Sequence, residues 1–244
     1  MPMRGNLPGE FIAARHPNIS ATGAWISRCI TKSTTSSAAI IAPWPNGPTT
    51  ICFLPCVTLL ATGCRRLCSL GRINSFVEHA VSAARHPCQV VDTLNQFGVD
   101  NFSGLGIYVT FLCVEVDLRR RSIAYAGAGH PPALLQRRNG TIESLGSLSP
   151  LIGIFPEMGR GCQVSKTFFM PGDRLLLFTD GFSETRNSTG DTLGVIGMSG
   201  ILRNLGDKLD SAAILAEFVA ARRQFAGHEV PDDVLLMAAR FCPT

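Results

Sequence analysis

At 244 residues with 45% hydrophobic content, the chain is long enough for one sizeable core, and a single main domain is expected. Its formal charge of +4 comes from scattered arginines with no aromatic interleaving, which argues against a nucleic-acid-binding surface. Its longest apolar run, ICFLPCVTLLA, is too short for a membrane span and carries a proline, so a soluble protein with no membrane span is expected. Nine cysteines, an odd count without a recognisable signal peptide, point away from a disulfide framework and towards a reducing cytoplasm.

Residues 1–70 are unusual in charge and pattern. They hold six basic residues and one carboxylate, Glu10, whereas the rest of the chain is close to neutral. An arginine- and serine-rich, acid-poor start fits an organellar transit peptide, but Pro43, Pro45, Pro48 and Pro55 are incompatible with an amphipathic helix. The stretch CVTLLATGCRRLCSL (56–70) mixes three cysteines and two adjacent arginines with apolar residues in neither a helical nor a strand period. Cys52, Cys56, Cys64 and Cys68 have x3 spacings and no nearby histidine, a poor match to a zinc knuckle.

From Gly71 onward the pattern is that of a globular protein. Ile73, Phe76, Val77, Ala80 and Val81 recur at helical spacing, Pro87 ends that helix, and PCQVVDTLNQF predicts a second, shorter one. IYVTFLCVEVDL and SIAYAGAG, joined by a polar LRRRS turn, predict a hairpin, and ALLQ with TIESL predicts another around Asn139-Gly140. VSKTFFM and RLLLFTDG, separated by PGD, are expected to pair as a third, with RLLLF as a central strand buried on both faces. SAAILAEFVAARRQFAG predicts an amphipathic helix with Ser211 as N-cap and Gly227 at its C-terminal end, and VLLMAAR a last strand. The sum is an α+β layered fold.

Asp180 follows the buried-looking strand and precedes Gly181, and Asp232 and Asp233 precede the last strand. Carboxylates at strand ends suit a hard divalent cation with oxygen ligands. The simpler reading of each is a turn or cap aspartate. His130, in AGHPP, is read as a loop residue that shapes its turn rather than as a general acid.

The order AYAGAGHPPALL (124–135), PLIGIF (150–155), MPGDRLLLFTDGFSETRN (170–187) and PDDVLLMAAR (231–240) resembles the C-terminal part of SpoIIE/RsbU-type serine phosphatases of the PPM, or protein phosphatase 2C-like, family. The resemblance covers residues 71–242. It implies a layered β-sandwich flanked by helices and a pair of Mn²⁺ or Mg²⁺ ions held by aspartates. It also implies a metal-bridging hydroxide that attacks phosphoserine or phosphothreonine in line, with the metals acidifying the water and neutralising phosphoryl charge. Carried over by motif, Asp180 and Asp232 are metal ligands and Asp233 stands beside them; no catalytic residue is assigned. The implied partner is a phosphorylated regulatory protein of anti-sigma-factor-antagonist type. The last motif has Leu235 where the family pattern has a hydroxyl residue.

The family pattern also needs two upstream aspartates, in Gly-Gly-Asp-Tyr-like and Asp-Val-Thr-Gly-His-Gly-like segments, and this chain has no aspartate before Asp92. Reading the third base of each codon with the first two of the next permits Asp-Val-Thr-Gly-His-Gly across the junctions from Val57-Thr58 to Thr62-Gly63. The same offset continues to permit Leu-Pro-Ser-Ala-Leu as far as Cys68, and permits Gly-Gly-Asp-Tyr across Ser37 to Ile41. The two recovered aspartates fall at the 39/40 and 57/58 junctions, eighteen residues apart, with room for a hairpin between them. Residues 1–70 are therefore read as an aberrant or degenerate segment, out of frame from somewhere before Ser37 to about Cys68, with the N-terminal strands degraded; the alternative is a divergent but genuine N-terminal segment. Three function classes follow: a phosphatase, a catalytically inactive binding module with the same surface, and the product of a disrupted gene.

Overall fold

The computed structural model describes backbone strands within residues 11–59 and, from residue 73 to 242, all residues except 74, 78, 103–104, 148, 157–161, 207–208 and 228–233. Two antiparallel sheets stack face to face with helices on both outer surfaces. The first sheet has the order β1 (Phe11–Arg15), β2 (Ala24–Thr31), β13 (Val234–Phe241), β12 (Arg174–Phe178), β9 (Ala133–Gln136), β10 (Ile142–Leu145). The second runs β11 (Ser165–Phe168), β8 (Ser122–Ala128), β7 (Val109–Asp117), and then the two arms of an N-terminal hairpin. In that hairpin β5 (Ile51–Phe53) and β6 (Cys56–Leu59) lie end to end along β7. β4 (Ala42–Pro43) pairs with β5, and β3 (Ser37–Ala39) with β6.

Alternation along the strands sorts the side chains into three cores. Leu112, Val114 and Val116 of β7 meet Leu175 and Leu177 of β12 and Leu235 and Met237 of β13 between the sheets. The opposite face of β7, Phe111 and Cys113, packs under a first helix, α1, within residues 73–83, and under α2 (Pro87–Phe102). Leu176 and Phe178 of β12 pack under three helices, α3 (Asp180–Ser183), α4 (Gly194–Asn204) and α5 (Ser211–Ala226), through Met198, Leu202 and Phe218. RLLLF is thus buried on both faces as its composition predicts, because it lies between two sheet neighbours and between two apolar layers. Each fully buried Leu or Phe there contributes about 1.5–3 kcal/mol.

Several expectations are corrected. SKTF and RLLLF do not pair: β11 joins β8 in one sheet and β12 joins β9 and β13 in the other, so PGD is a crossing between sheets. Asp173 makes the crossing rigid. Its carboxylate accepts the Met170 N–H at 2.9 Å and the Arg138 N–H at 2.9 Å, and it pairs with the Arg137 guanidinium at 3.0 Å. Helix α2 runs five residues past the expected end, to Phe102; Gly98 within the added stretch lies against the Ile152 side chain and the Gly153 backbone, where a side chain would be crowded. The N-cap of α5 is Asp210, not Ser211, with its carboxylate on the Ala213 N–H at 2.8 Å; Gly227 closes the helix in the left-handed region as expected. Asn139-Gly140 lies in a tight turn as expected, with the Gly140 N–H donating to the Arg137 carbonyl at 2.8 Å and the Arg137 N–H to the Thr141 carbonyl at 2.7 Å. Among the described residues a disulfide joins Cys88 to Cys162, although the cysteine count pointed away from a disulfide framework; a separation of 74 residues gives no sign that the fold brings the two together.

The N-terminal segment still contributes backbone to both sheets: β2 pairs along the whole of β13, and β5 and β6 pair along β7. Ladder hydrogen bonds need only extended backbone, so a run whose side chains carry no catalytic chemistry can still complete a sheet.

Candidate functional site

Asp180 is the first residue of α3, at the end of β12. Its carboxylate accepts the Gly181 N–H at 2.9 Å, and its carbonyl accepts the Glu184 N–H at 2.7 Å and the Ser183 hydroxyl at 3.3 Å. The preceding residue fixes where this turn sits. Thr179 is fully buried; its N–H donates to the Leu235 carbonyl at 3.0 Å and its hydroxyl oxygen accepts the Leu235 N–H at 3.0 Å. The start of β13, which Asp233 precedes by one residue in sequence, is thereby stitched to the Asp180 turn. Thr31, at the end of β2, pairs with Val234, and β3 of the second sheet lies against β13.

The turn is also held from behind. Arg222 of α5 donates from Nε to the Thr185 hydroxyl at 2.8 Å and from Nη2 to the Gly181 carbonyl at 3.4 Å, with its guanidinium 5.6 Å from the Phe182 ring. Neither Arg222 nor Thr179 stands out as a site residue in the sequence. Thr179 lies inside the FTDG motif without being singled out by it, and Arg222 is one of several charged residues on its helix.

Asp232 and Asp233 lie outside the described residues, as do Cys64 and Cys68, while Cys52 and Cys56 are placed only as backbone of β5 and β6. Among the described residues no three His, Cys, Asp or Glu side chains come together in a way that could hold a metal. Of the carboxylates assigned by motif, Asp180 is thus the one whose position is described. A hard divalent pair needs several oxygen ligands shared between two ions, and β3 and β6 contain no acidic residue in their sequences. Among the described residues, the side chains do not make up the implied metal pair, and no reaction step is derived through it.

His130 is 5% exposed, between β8 and β9. Its Nδ1 is 2.8 Å from the Pro131 carbonyl, its N–H and C=O both bond the Ser147 hydroxyl, and its Nε2 has no partner among the described residues. Burial lowers its pKa to about 4, so it is neutral near pH 7 and has no proton to offer there. Its role is to shape the turn.

Residues 67–242 match the family described as Stage II sporulation protein E (SpoIIE). The chain belongs to the SpoIIE family. It is 43% identical over 74 residues to the phosphoserine phosphatase RsbP of Bacillus subtilis, covering 30% of this chain and 18% of RsbP, and it spans less than a fifth of the curated relatives it matches. Among solved structures, the SiaA-PP2C domain of Pseudomonas aeruginosa superposes with a TM-score of 0.74 at 19% identity, covering 93% of this chain and 89% of that one. The PP2C phosphatase domain of SpoIIE from Bacillus subtilis gives 0.65 at 17% identity, covering 97% and 71%. The α+β sandwich of this SpoIIE-family chain is therefore the PP2C phosphatase fold.

Proposed function

We propose that this chain is a serine/threonine phosphatase domain of SpoIIE/RsbU type, shaped for a phosphoserine or phosphothreonine on a regulatory protein of anti-sigma-factor-antagonist type, and that the sequence as it stands is catalytically crippled. A cytoplasmic setting and use of Mn²⁺ or Mg²⁺ go with this reading, with Asp180, Asp232 and Asp233 as the retained acidic share of the site. One observation carries it: the Asp180 turn is stitched to the start of β13, while the strand pair in which β3 touches β13, β3 with β6, brings no carboxylate.

The register of that pair supports the out-of-frame reading of residues 37–68. Ser37 faces Thr58 and Ala39 faces Cys56, so the 39/40 and 57/58 junctions lie on neighbouring strands joined by the hairpin that their spacing allows. The complete ladders favour, as a second reading, a folded binding module that holds a phosphoprotein without turning it over.

The test compares this chain with one in which residues 37–40 are replaced by Gly-Gly-Asp-Tyr and residues 57–62 by Asp-Val-Thr-Gly-His-Gly. With Mn²⁺ and a phosphoserine peptide, the present chain is expected to show no EDTA-sensitive phosphate release and the replaced chain to show it clearly. Robust EDTA-sensitive turnover by the present chain would refute the crippled-catalyst reading. A replaced chain that melts cooperatively yet stays inactive would refute the phosphatase reading. Gene sequence across codons 30–70 checks the frame directly.

A further inference from the structure

In the segment between β10 and β11, residues 152–155 and Cys162 are fastened to helix α2 and β7 at separated points. Ile152 exchanges backbone hydrogen bonds with Val109, at 2.9 and 3.2 Å. Asn95, 1% exposed on α2, forks onto it: its Oδ1 accepts the Gly153 N–H at 2.9 Å and its Nδ2 donates to the Phe155 carbonyl at 3.0 Å. Seven residues earlier on α2, and so on the same helical face, Cys88 is bonded to Cys162, with Cα atoms 5.7 Å apart. The hydrogen-bonded fastenings at 152–155 are independent of the sulfur bond.

We propose that Cys88 and Cys162 form a reversible redox latch that tightens this segment onto α2. The proposal does not depend on phosphatase activity. Cys88 is 4% exposed whereas Cys162 is half-buried, so a low-molecular-weight disulfide meets Cys162 first. The Cys162 thiolate attacks that disulfide, forms a mixed disulfide and expels one small thiol. The Cys88 thiolate then attacks the Cys162 sulfur and expels the second. Two protein thiols are oxidised, one small disulfide is reduced to two thiols, and the two protons lost by the cysteines end, by way of solvent, on the two expelled small thiolates. Reduction by a dithiol reverses both steps. Because Asn95 and the Ile152–Val109 pair remain, the reduced segment stays docked but less tightly. Val109 also pairs with Leu59 of β6, so the latch bears on the end of the second sheet beside that strand. Cys113 does not compete: it is fully buried, and burial pushes its thiol pKa well up.

The test uses the full chain equilibrated in glutathione buffers of graded oxidised-to-reduced ratio and mapped by non-reducing peptide mass spectrometry. Oxidised buffer is expected to give a Cys88–Cys162 cross-linked peptide. Reduction is expected to lower Tm by roughly 5–15 °C with the melt still cooperative. Amide exchange at 87–95 and 152–155 is expected to accelerate by about tenfold or more, and to recover on reoxidation. Cys162→Ser in oxidised buffer should match the reduced parent; should that variant fail to fold, the parent's own reduction and reoxidation still decides. Absence of the cross-link at every ratio, cross-linking of these cysteines chiefly to others, unchanged exchange on reduction, or global unfolding on reduction would each overturn the latch.

Discussion

His130 ties one buried ring to the pH dependence of stability. Its folded pKa, about 4, lies below the ordinary value of 6.5, so between those values the unfolded chain binds more protons than the folded one. The stabilisation is complete above about pH 6.5 and is lost as pH falls towards 4, on the order of 3 kcal/mol. Urea unfolding at pH 7.5 and 4.5 should show this slope, and His130→Asn should flatten it whatever its absolute stability. Thr179 has a different role. Thr179→Val leaves the buried Leu235 N–H without its side-chain partner and is expected to cost about 1–3 kcal/mol in denaturant unfolding, with Thr179→Ser recovering most of it. A valine variant as stable as the parent would show that the hydroxyl does not anchor the Asp180 turn.

Helices and strands here are joined through close approaches that tolerate little added volume. Gly129 has φ +58°, and a Cβ there would run into the Leu151 side chain, so Gly129→Ala combines backbone strain with overpacking. A loss of about 2–3 kcal/mol is expected by denaturant titration. At the start of α5, Asp210→Ala removes a helix cap, and about 1 kcal/mol is expected. If Ser211→Ala were the more costly change, the cap would lie where the sequence pattern suggested. The PGD crossing shows why strand pairing was misjudged: two apolar runs around a Gly-containing turn look like a hairpin, and only the Asp173–Arg137 contacts and the partners already present in each sheet send them apart.

For the whole molecule, the edge of the second sheet is the exposed weakness. Along β11 and its flanks Val164, Lys166, Phe168 and Met170 alternate outward; Phe168 is 61% and Met170 51% exposed, on the strand that ends this sheet among the described residues. Phe168→Glu is expected to slow aggregation of concentrated protein, followed by light scattering, with Tm changed by no more than about 2 °C. Unchanged aggregation would move the liability elsewhere.

Local pattern sufficed for much of this protein. The period of residues 73–83, the apolar density of RLLLF and the glycine at 227 each reflect forces acting within one element: burial of a helix face, burial of both strand faces, and freedom to adopt positive φ. The order of motifs from AGHPP to PDDVLL was enough to place the chain in its family. Only the tertiary structure decided which strands share a sheet, that Thr179 and Arg222 hold the Asp180 turn, and that Cys88 lies against Cys162. Those outcomes depend on contacts between residues far apart in sequence, set by how two sheets and their helices fill space together, and no local periodicity encodes them.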